Sequence, residues 1–192
     1  QDNRLSGSIP TELGAVTNKP RLSDRVAPLW TREPLPNGTL VTFLASGNAL
    51  SGFVPTQLNA LNMLHMVSVS HSRLSGTLPP VGRLDKLLEL SVAFSKFSGT
   101  LPELNSSFGA RQLRLDSKSK IDVEGNTWLS GTIPSSWLGR TSRLESLNLA
   151  AARLSGTLPP ELSSLAELST LQLHGTRVSG TVPSNLTSMR SL

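Results

Sequence analysis

The chain has 192 residues, a net charge of +5, 37% hydrophobic residues and 16% charged residues. This composition is too apolar for a disordered segment, and no run of about 18 apolar residues is present to span a membrane. Because the sequence lacks cysteine, it predicts no disulfide framework and leaves the redox compartment undetermined.

A Ser-Gly pair recurs along the chain and divides it into units of similar length. Neighbouring pairs are mostly about 24 residues apart, which indicates a repeat architecture rather than a mixed globular fold. The pairs stand at residues 6–7, 51–52, 75–76, 98–99, 130–131, 155–156 and 179–180.

An irregular stretch follows the first unit. Residues 17–38 contain four prolines and no leucines in the repeat register. A long unpatterned stretch of this kind is typical of a functional loop or a disordered insertion, and an error of sequence assembly would look the same. We expect an insertion here rather than a repeat.

In the later units, apolar residues alternate with polar ones ahead of each Ser-Gly pair. This period of two predicts a short strand whose apolar side chains point inward, and strands one period apart should stack into a parallel sheet. The inward pairs are Phe43 and Ala45, Val67 and Val69, Leu90 and Val92, Leu147 and Leu149, and Leu171 and Leu173.

The Ser-Gly pair and the proline that follows it predict a corner after each strand. Glycine permits a positive φ there, and proline suits the first position of a short helical turn. An acidic residue follows the proline at Glu12, Glu103 and Glu161, where it is favourable with the helix dipole. The predicted fold class is an α/β repeat solenoid with a parallel concave sheet and short 3-10 or helical convex turns.

The middle and the ends of the chain depart from the repeat. A corner asparagine is present at Asn48, but the corresponding positions hold Lys118 and Ala152, so we expect the middle to be least regular. Residues 118–127, approximately, are predicted to be a shorter insertion. Residues 1–192 are expected to form one array of about seven partial or full repeats, uncapped at both ends and drawn from a longer protein.

The unit LxxLxLxxNxLSGxIPxxLxxL resembles the plant-type leucine-rich repeats of receptor-like kinase ectodomains and of inhibitors of cell-wall hydrolases. The segments SGTLPP and LPPELSSL are more similar to repeats of trypanosomatid surface antigens and proteophosphoglycans. The resemblance implies non-enzymatic recognition at the cell surface by an adhesion or coat antigen, anchored by sequence outside this chain. A receptor-like kinase ectodomain and an inhibitor of a secreted hydrolase are the alternatives.

The outward positions of the predicted strands form the candidate binding face for a protein or glycan. A hydrolytic triad is not expected, because His71 and Asp116 lie two repeats apart. No paired metal ligands or phosphate-binding loop are present in the sequence, so we expect no enzyme and no cofactor. The candidate face consists of Met66, His71, Glu89, Phe94, Gln112, Arg114, Asp116, Asn148, Gln172 and His174.

A basic residue recurs two positions before the Ser-Gly pair. Equivalent positions should stack about 5 Å apart and form a basic ladder suited to an anionic glycan. Nucleic acid is not expected, because aromatic residues for base stacking do not interleave the charges, and direct membrane insertion is not expected either. The ladder consists of Arg4, Arg73, Lys96, Arg153 and Arg177, and candidate N-glycosylation sites are Asn37, Asn105 and Asn185.

Overall fold

The structure is a computed structural model, and the residues it describes are 4–15, 40–84, 86–103, 119–138 and 144–182. In these residues, short strands from successive repeats stack into two parallel sheets, one of six strands and one of seven. The sheets enclose a single apolar core, and short 3-10 helices connect one repeat to the next. The predicted insertion at 17–38 lies outside the described residues.

The first sheet is the predicted concave sheet, and with it the leucine-rich repeat solenoid is confirmed. Its strands run parallel in the order of the chain, so that each repeat adds one strand beside the last. They are β2 (Thr42–Leu44), β4 (Met66–Ser68), β6 (Glu89–Ser91), β8 (Ser119–Asp122), β10 (Leu144–Asn148) and β12 (Thr170–Gln172).

The second sheet contains the Ser-Gly units, which the sequence predicted to be corners only. Each unit bends at its glycine but also pairs with the unit of the next repeat, because its backbone is extended before the turn. The strands are β1 (Ser6–Gly7), β3 (Ala49–Gly52), β5 (Arg73–Thr77), β7 (Lys96–Thr100), β9 (Trp128–Gly131), β11 (Arg153–Thr157) and β13 (Arg177–Ser179).

The core lies between the two sheets and the turns that follow the prolines. Inward leucines, valines and isoleucines from every repeat contact the residues of the next repeat, so burial is continuous along the array. The turns contain 3-10 helices at Thr11–Ala15, Thr56–Ala60, Ser135–Leu138 and Pro160–Ser164. No helix in the described ranges is both long enough and apolar enough to cross a membrane.

The predicted shorter insertion at about 118–127 contains a strand of the first sheet, β8. In β8, Ile121 pairs with Leu90 on one side and with Leu147 on the other, which is the place of a repeat strand. The predicted face residues Gln112, Arg114 and Asp116 had placed the strand of this repeat earlier in the chain, where the residues lie outside the described ones. A register shift between Leu144 and Ser146 marks the pairing of β8 with β10, as expected for an irregular middle.

The corner asparagine of this repeat is Asn126, rather than a substitute at Lys118. Asn126 is fully buried, and its amide donates to the carbonyl oxygens of Val92 at 2.8 Å and Val123 at 3.0 Å. Its Oδ1 accepts from the N–H of Phe97 at 3.1 Å. One side chain therefore satisfies three backbone groups and ties the first sheet to the second.

Candidate ligand-binding face

The outward face of the first sheet presents rows of side chains that cross the strands in register. Because successive residues of a strand point to opposite sides, each strand contributes two outward positions. The first row is Thr42, Met66, Glu89, Lys120, Ser146 and Thr170, and the second row is Leu44, Ser68, Ser91, Asp122, Asn148 and Gln172.

A serine network anchors one end of the second row. The hydroxyls of Ser46 and Ser68 lie 2.7 Å apart, and those of Ser70 and Ser91 lie 2.8 Å apart. Ser46 also accepts from the N–H of Ser70 at 2.9 Å. These serines are therefore occupied by one another, which makes them part of the scaffold rather than free ligand contacts.

Two carboxylates and one ammonium group lie close together in the middle of the face, and a third acidic residue follows on the same repeat. Glu89 is in register with Lys120, and Lys120 Nζ forms a salt bridge of 3.1 Å with Asp122. Asp122 Oδ1 accepts from the N–H of Glu124, which brings the third carboxylate to the same repeat. The sequence prediction missed Lys120, Asp122 and Glu124, because it placed this strand earlier in the chain.

The positive charge near the Glu89 carboxyl is too small to offset the cost of burying its ionised form. Burial raises its pKa above the ordinary value, the Lys120 ammonium partly opposes this, and the Asp122 carboxylate raises the pKa further. A cationic group placed on this face would stabilise the ionised form. The centre of the face is therefore electrostatically suited to a basic ligand group.

Asn148 supports this cluster from the neighbouring strand. Only 6% of its surface is exposed, and its amide donates to Glu124 Oε2 at 2.8 Å. Its Oδ1 accepts from the N–H of Ala150. Of the predicted binding residues, Asn148 is thus placed to position Glu124 rather than to contact a ligand.

Two aromatic rings stack at the edge of the face where β4 and β6 end. The rings of His71 and Phe94 have centroids 4.7 Å apart and planes 18° apart. Both residues are exposed, and Phe94 keeps 47% of its surface accessible. They form an exposed aromatic platform in which the two sequence-predicted residues are brought together.

The platform is held in a backbone conformation that its residue types disfavour. The φ of His71 is 53° and that of Phe94 is 49°, which lie in the left-handed region. A bulky residue there costs about 1–3 kcal/mol. Backbone hydrogen bonding to the next repeat enforces this conformation, because the Phe94 N–H donates to the Glu124 carbonyl at 2.7 Å. Gly125 leaves room for the Phe94 ring, which would lie 2.7 Å from a Cβ at that position.

The other sequence-predicted positions are more scattered. Met66 is half-buried beside Glu89, whereas Gln172 and His174 are exposed near the last described strand. The described residues contain no group of three metal-ligating side chains. The following predicted residues lie outside the described part of the chain: Gln112, Arg114, Asp116, Asn37, Asn105 and Asn185.

The predicted basic residues are all exposed, and four of them lie in strands of the second sheet, whereas Arg4 precedes β1. The parallel register places Lys96 beside Ser75 and Arg177 beside Ser155, not beside another basic residue. Successive charges are therefore diagonal neighbours about 8 Å apart at the backbone, and the expected spacing of about 5 Å is wrong. Aromatic Trp128 also stands in this row, contrary to the expectation that none interleaves the charges.

The chain is similar in sequence to plant receptor-like proteins. The model of the family described as Leucine Rich Repeat matches residues 143–165. Receptor-like protein 39 of Arabidopsis thaliana is 30% identical over 167 residues, which cover 87% of this chain and 16% of that protein. The chain spans 13–16% of the lengths of three such Arabidopsis relatives.

Solved structures give the same result. The LRR ectodomain of the Arabidopsis thaliana receptor kinase GASSHO1/SCHENGEN3 is 28% identical with a TM-score of 0.72, covering 94% of this chain and 18% of that one. The plant peptide hormone receptor RGFR1, solved in complex with RGF2, is 28% identical with a TM-score of 0.71, covering 100% of this chain and 26% of that one. The resemblance to trypanosomatid surface antigens finds no support in these comparisons.

Proposed function

We propose that this chain, a leucine-rich repeat protein similar to plant receptor-like proteins, binds a peptide segment of a protein ligand on the outward face of its first sheet. The function is recognition without catalysis. The observation that carries the proposal is the exposed His71–Phe94 platform, held in a strained backbone beside a cluster of carboxylates.

The aromatic platform supplies the apolar part of the site. Exposed aromatic side chains provide large contact areas, and a few such residues carry most of the energy in typical interfaces. The conformation itself belongs to the repeat, because the same corner position has a positive φ at Gly47, Gly125, Ala151 and Gly175. It fixes the position of both rings. Phe94 and His71 are therefore the residues proposed to seat an apolar ligand side chain.

The carboxylate cluster supplies the polar part. Among the charged residues of β6, of β8 and of the turn that follows β8, the acidic Glu89, Asp122 and Glu124 outnumber Lys120. Because burial raises the pKa of Glu89, a lysine or arginine of the ligand gains more there than on an open surface. We therefore propose a ligand segment that combines an apolar side chain with a basic one.

Two findings on other proteins support this class of ligand. RGFR1 is described as a peptide hormone receptor. The ectodomain of the Arabidopsis receptor kinase HAESA, which is 27% identical to this chain with a TM-score of 0.73, was solved with a peptide hormone ligand. An extracellular location accompanies the proposal, as for the ectodomains in these comparisons. A surface antigen or a hydrolase inhibitor gains no comparable support from a residue of this chain.

A displayed library of random short peptides tests the proposal. Selected peptides should be enriched in an apolar residue near a lysine or arginine. Phe94→Gly should weaken their binding at least about tenfold, because it removes a central aromatic contact. Glycine tolerates a φ of 49°, so this variant keeps the backbone and should melt close to the parent.

Matched controls separate this site from general adhesiveness. Phe53 is 70% exposed but lies next to the second sheet, so Phe53→Ala should leave peptide binding unchanged. Glu89→Lys should abolish the preference for basic peptides, whereas Glu161→Lys on an exposed convex turn should not. Equal losses from Phe94→Gly and Phe53→Ala would contradict the proposal.

A further inference from the structure

The outward face of the second sheet is built from one repeated triplet. In β5, β7 and β11 a basic residue, a serine and a threonine alternate with an inward apolar residue and a glycine, so the three polar side chains share one face. The basic residues are Arg73, Lys96 and Arg153, and all of them are exposed.

Packing explains the serine and the threonine of this triplet. Ser155 Oγ donates to the carbonyl of Gly131 on the preceding strand, and equivalent serines do the same. The threonine methyl covers the glycine of the next repeat, as Thr132 does at Gly156. Both residues therefore contact the neighbouring repeat, the serine through a long hydrogen bond of 3.5 Å.

No comparable contact explains the recurring basic residue. In the described part of the chain, Lys120–Asp122 is the salt bridge formed, and it lies on the other sheet. The ladder residues form no ion pair there, although like charges about 8 Å apart repel one another. Arg153 contacts the Trp128 ring, and the other charges recur without a partner among the described residues. Four diagonal steps of about 8 Å, all in the same direction, carry the row about 33 Å obliquely across the five strands from β5 to β13.

An exposed tryptophan interrupts the row of charges. Trp128 occupies the basic position of β9 with 60% of its surface exposed, and the Arg153 guanidinium lies 5.3 Å from its ring centroid. The arginine is therefore held over the ring by a cation–π contact. Tryptophan beside an arginine offers a flat apolar surface next to a positive charge.

We propose that the outward face of the second sheet binds a linear anionic polysaccharide that crosses the strands. Carboxylate or sulfate groups would pair with the basic residues, sugar hydroxyls would contact the row of serines and threonines, and one sugar ring would lie on Trp128. The proposal concerns a different face and a different ligand from the peptide site, so either proposal can fail alone.

A polysaccharide fits this face better than nucleic acid or a folded protein does. A regular row of positive charges matches a polymer whose negative charges also repeat. Binding to single-stranded nucleic acid typically uses a series of aromatic platforms, whereas this row contains one tryptophan. The many hydroxyl groups around each charge match the hydroxyl-rich surface of a sugar chain.

The test measures binding of the purified chain to immobilised polygalacturonate and dextran sulfate, with neutral dextran and oligo(dT) as comparison probes. At least one of the two anionic polysaccharides should bind, with an affinity that falls as salt rises. Arg153→Glu combined with Arg177→Glu should reduce the affinity at least about tenfold at low salt. Whether the carboxylated or the sulfated probe binds more tightly identifies the preferred anion.

Control variants tie the result to this face. Arg177→Glu alone should weaken binding clearly more than Arg83→Glu, an equal change of charge at an exposed residue outside the second sheet. Phe94→Gly should have no effect on polysaccharide binding. The proposal is overturned if neither polysaccharide binds, if Arg83→Glu is as harmful as Arg177→Glu, or if oligo(dT) binds more tightly than both polysaccharides.

Discussion

The two sheets share one core and one repeat, yet their outward faces differ in charge and in regularity. The first sheet presents Glu89, Asp122 and an aromatic pair, with no outward residue type repeated along the whole row. The second sheet presents a basic residue, a serine and a threonine again and again, and its described strands carry no acidic residue.

The difference shows which constraints act on each face. On the second sheet, the glycine and the threonine of adjacent repeats depend on each other for close packing. On the first sheet, the inward residues are constrained by the core, while the outward ones are free to differ from repeat to repeat. The first sheet, whose outward residues differ from repeat to repeat, therefore suits a ligand with distinct side chains. The second sheet, whose outward residues recur, suits a ligand that itself repeats.

The largest expected effect comes from cutting the connection between the two sheets. Asn126→Ala removes three hydrogen bonds to backbone groups and should lower the free energy of unfolding by about 3 kcal/mol. Denaturant unfolding measures this. The exposed neighbour provides the control, because Thr127→Ala should change stability by less than about 0.5 kcal/mol. Equal stability of the two variants would mean that the sheets do not depend on this side chain.

A smaller effect is expected from disturbing the repeated contact of the second sheet. Gly156 has a φ of 88°, and a Cβ there would lie 3.0 Å from Thr132 Cγ2, so Gly156→Ala should cost about 1–3 kcal/mol. Gly82 lacks a positive φ, and its nearest contact would be at 3.6 Å, so Gly82→Ala should be close to neutral. Thermal melting of both variants measures the difference. Similar decreases in melting temperature for Gly156→Ala and Gly82→Ala would argue against a packing role for the Thr132–Gly156 contact. Thr132→Ser should recover part of the loss.

The smallest effect is a pH dependence that belongs to the first sheet. His65, which precedes β4, is 7% exposed, and its Nε2 has no hydrogen-bond partner among the described residues. Burial lowers its pKa below 6.5, the Met63 carbonyl partly opposes this, and the Lys86 ammonium adds to the lowering.

Because the unfolded chain binds the His65 proton more tightly, the free energy of unfolding should fall as the pH drops below about 6.5. Unfolding curves measured at successive pH values test this. His65→Phe should flatten that part of the profile, whereas replacement of the exposed His174 by glutamine should leave its slope in place. A parent profile that stays flat from neutral pH down to about pH 5 would contradict the assignment.

Much of the fold could be predicted from the sequence, because local patterns determine it. The alternation around Val67 and Leu90 places them inside a strand, and the glycine of each Ser-Gly pair has the positive φ that was expected. Serine can replace asparagine at a corner, since Ser72 Oγ accepts from the N–H of Leu74.

The candidate site could be predicted only in part. His71, Glu89 and Phe94 were found because they belong to clearly patterned repeats, Glu89 at an outward position of β6 and the two aromatic residues in the turns after β4 and β6. Lys120, Asp122 and Glu124 were missed, because two LxL patterns compete in that repeat, at Leu113 and Leu115 and at Ile121 and Val123. The pairing of Ile121 with Leu90 and Leu147 is a long-range contact that no local pattern contains.

The sequence by itself determined the period, the inward residues and the turns, because each depends on neighbours within one repeat. Only the tertiary structure decided which strand joins the middle of the first sheet, how the second sheet is staggered, and that Phe94 stacks on His71. It also placed Glu89 and Asp122 on the first sheet and the basic residues Arg73, Lys96, Arg153 and Arg177 on the second. The physical reason is that register, stacking and charge distribution depend on contacts between repeats, which exist only once the strands have paired.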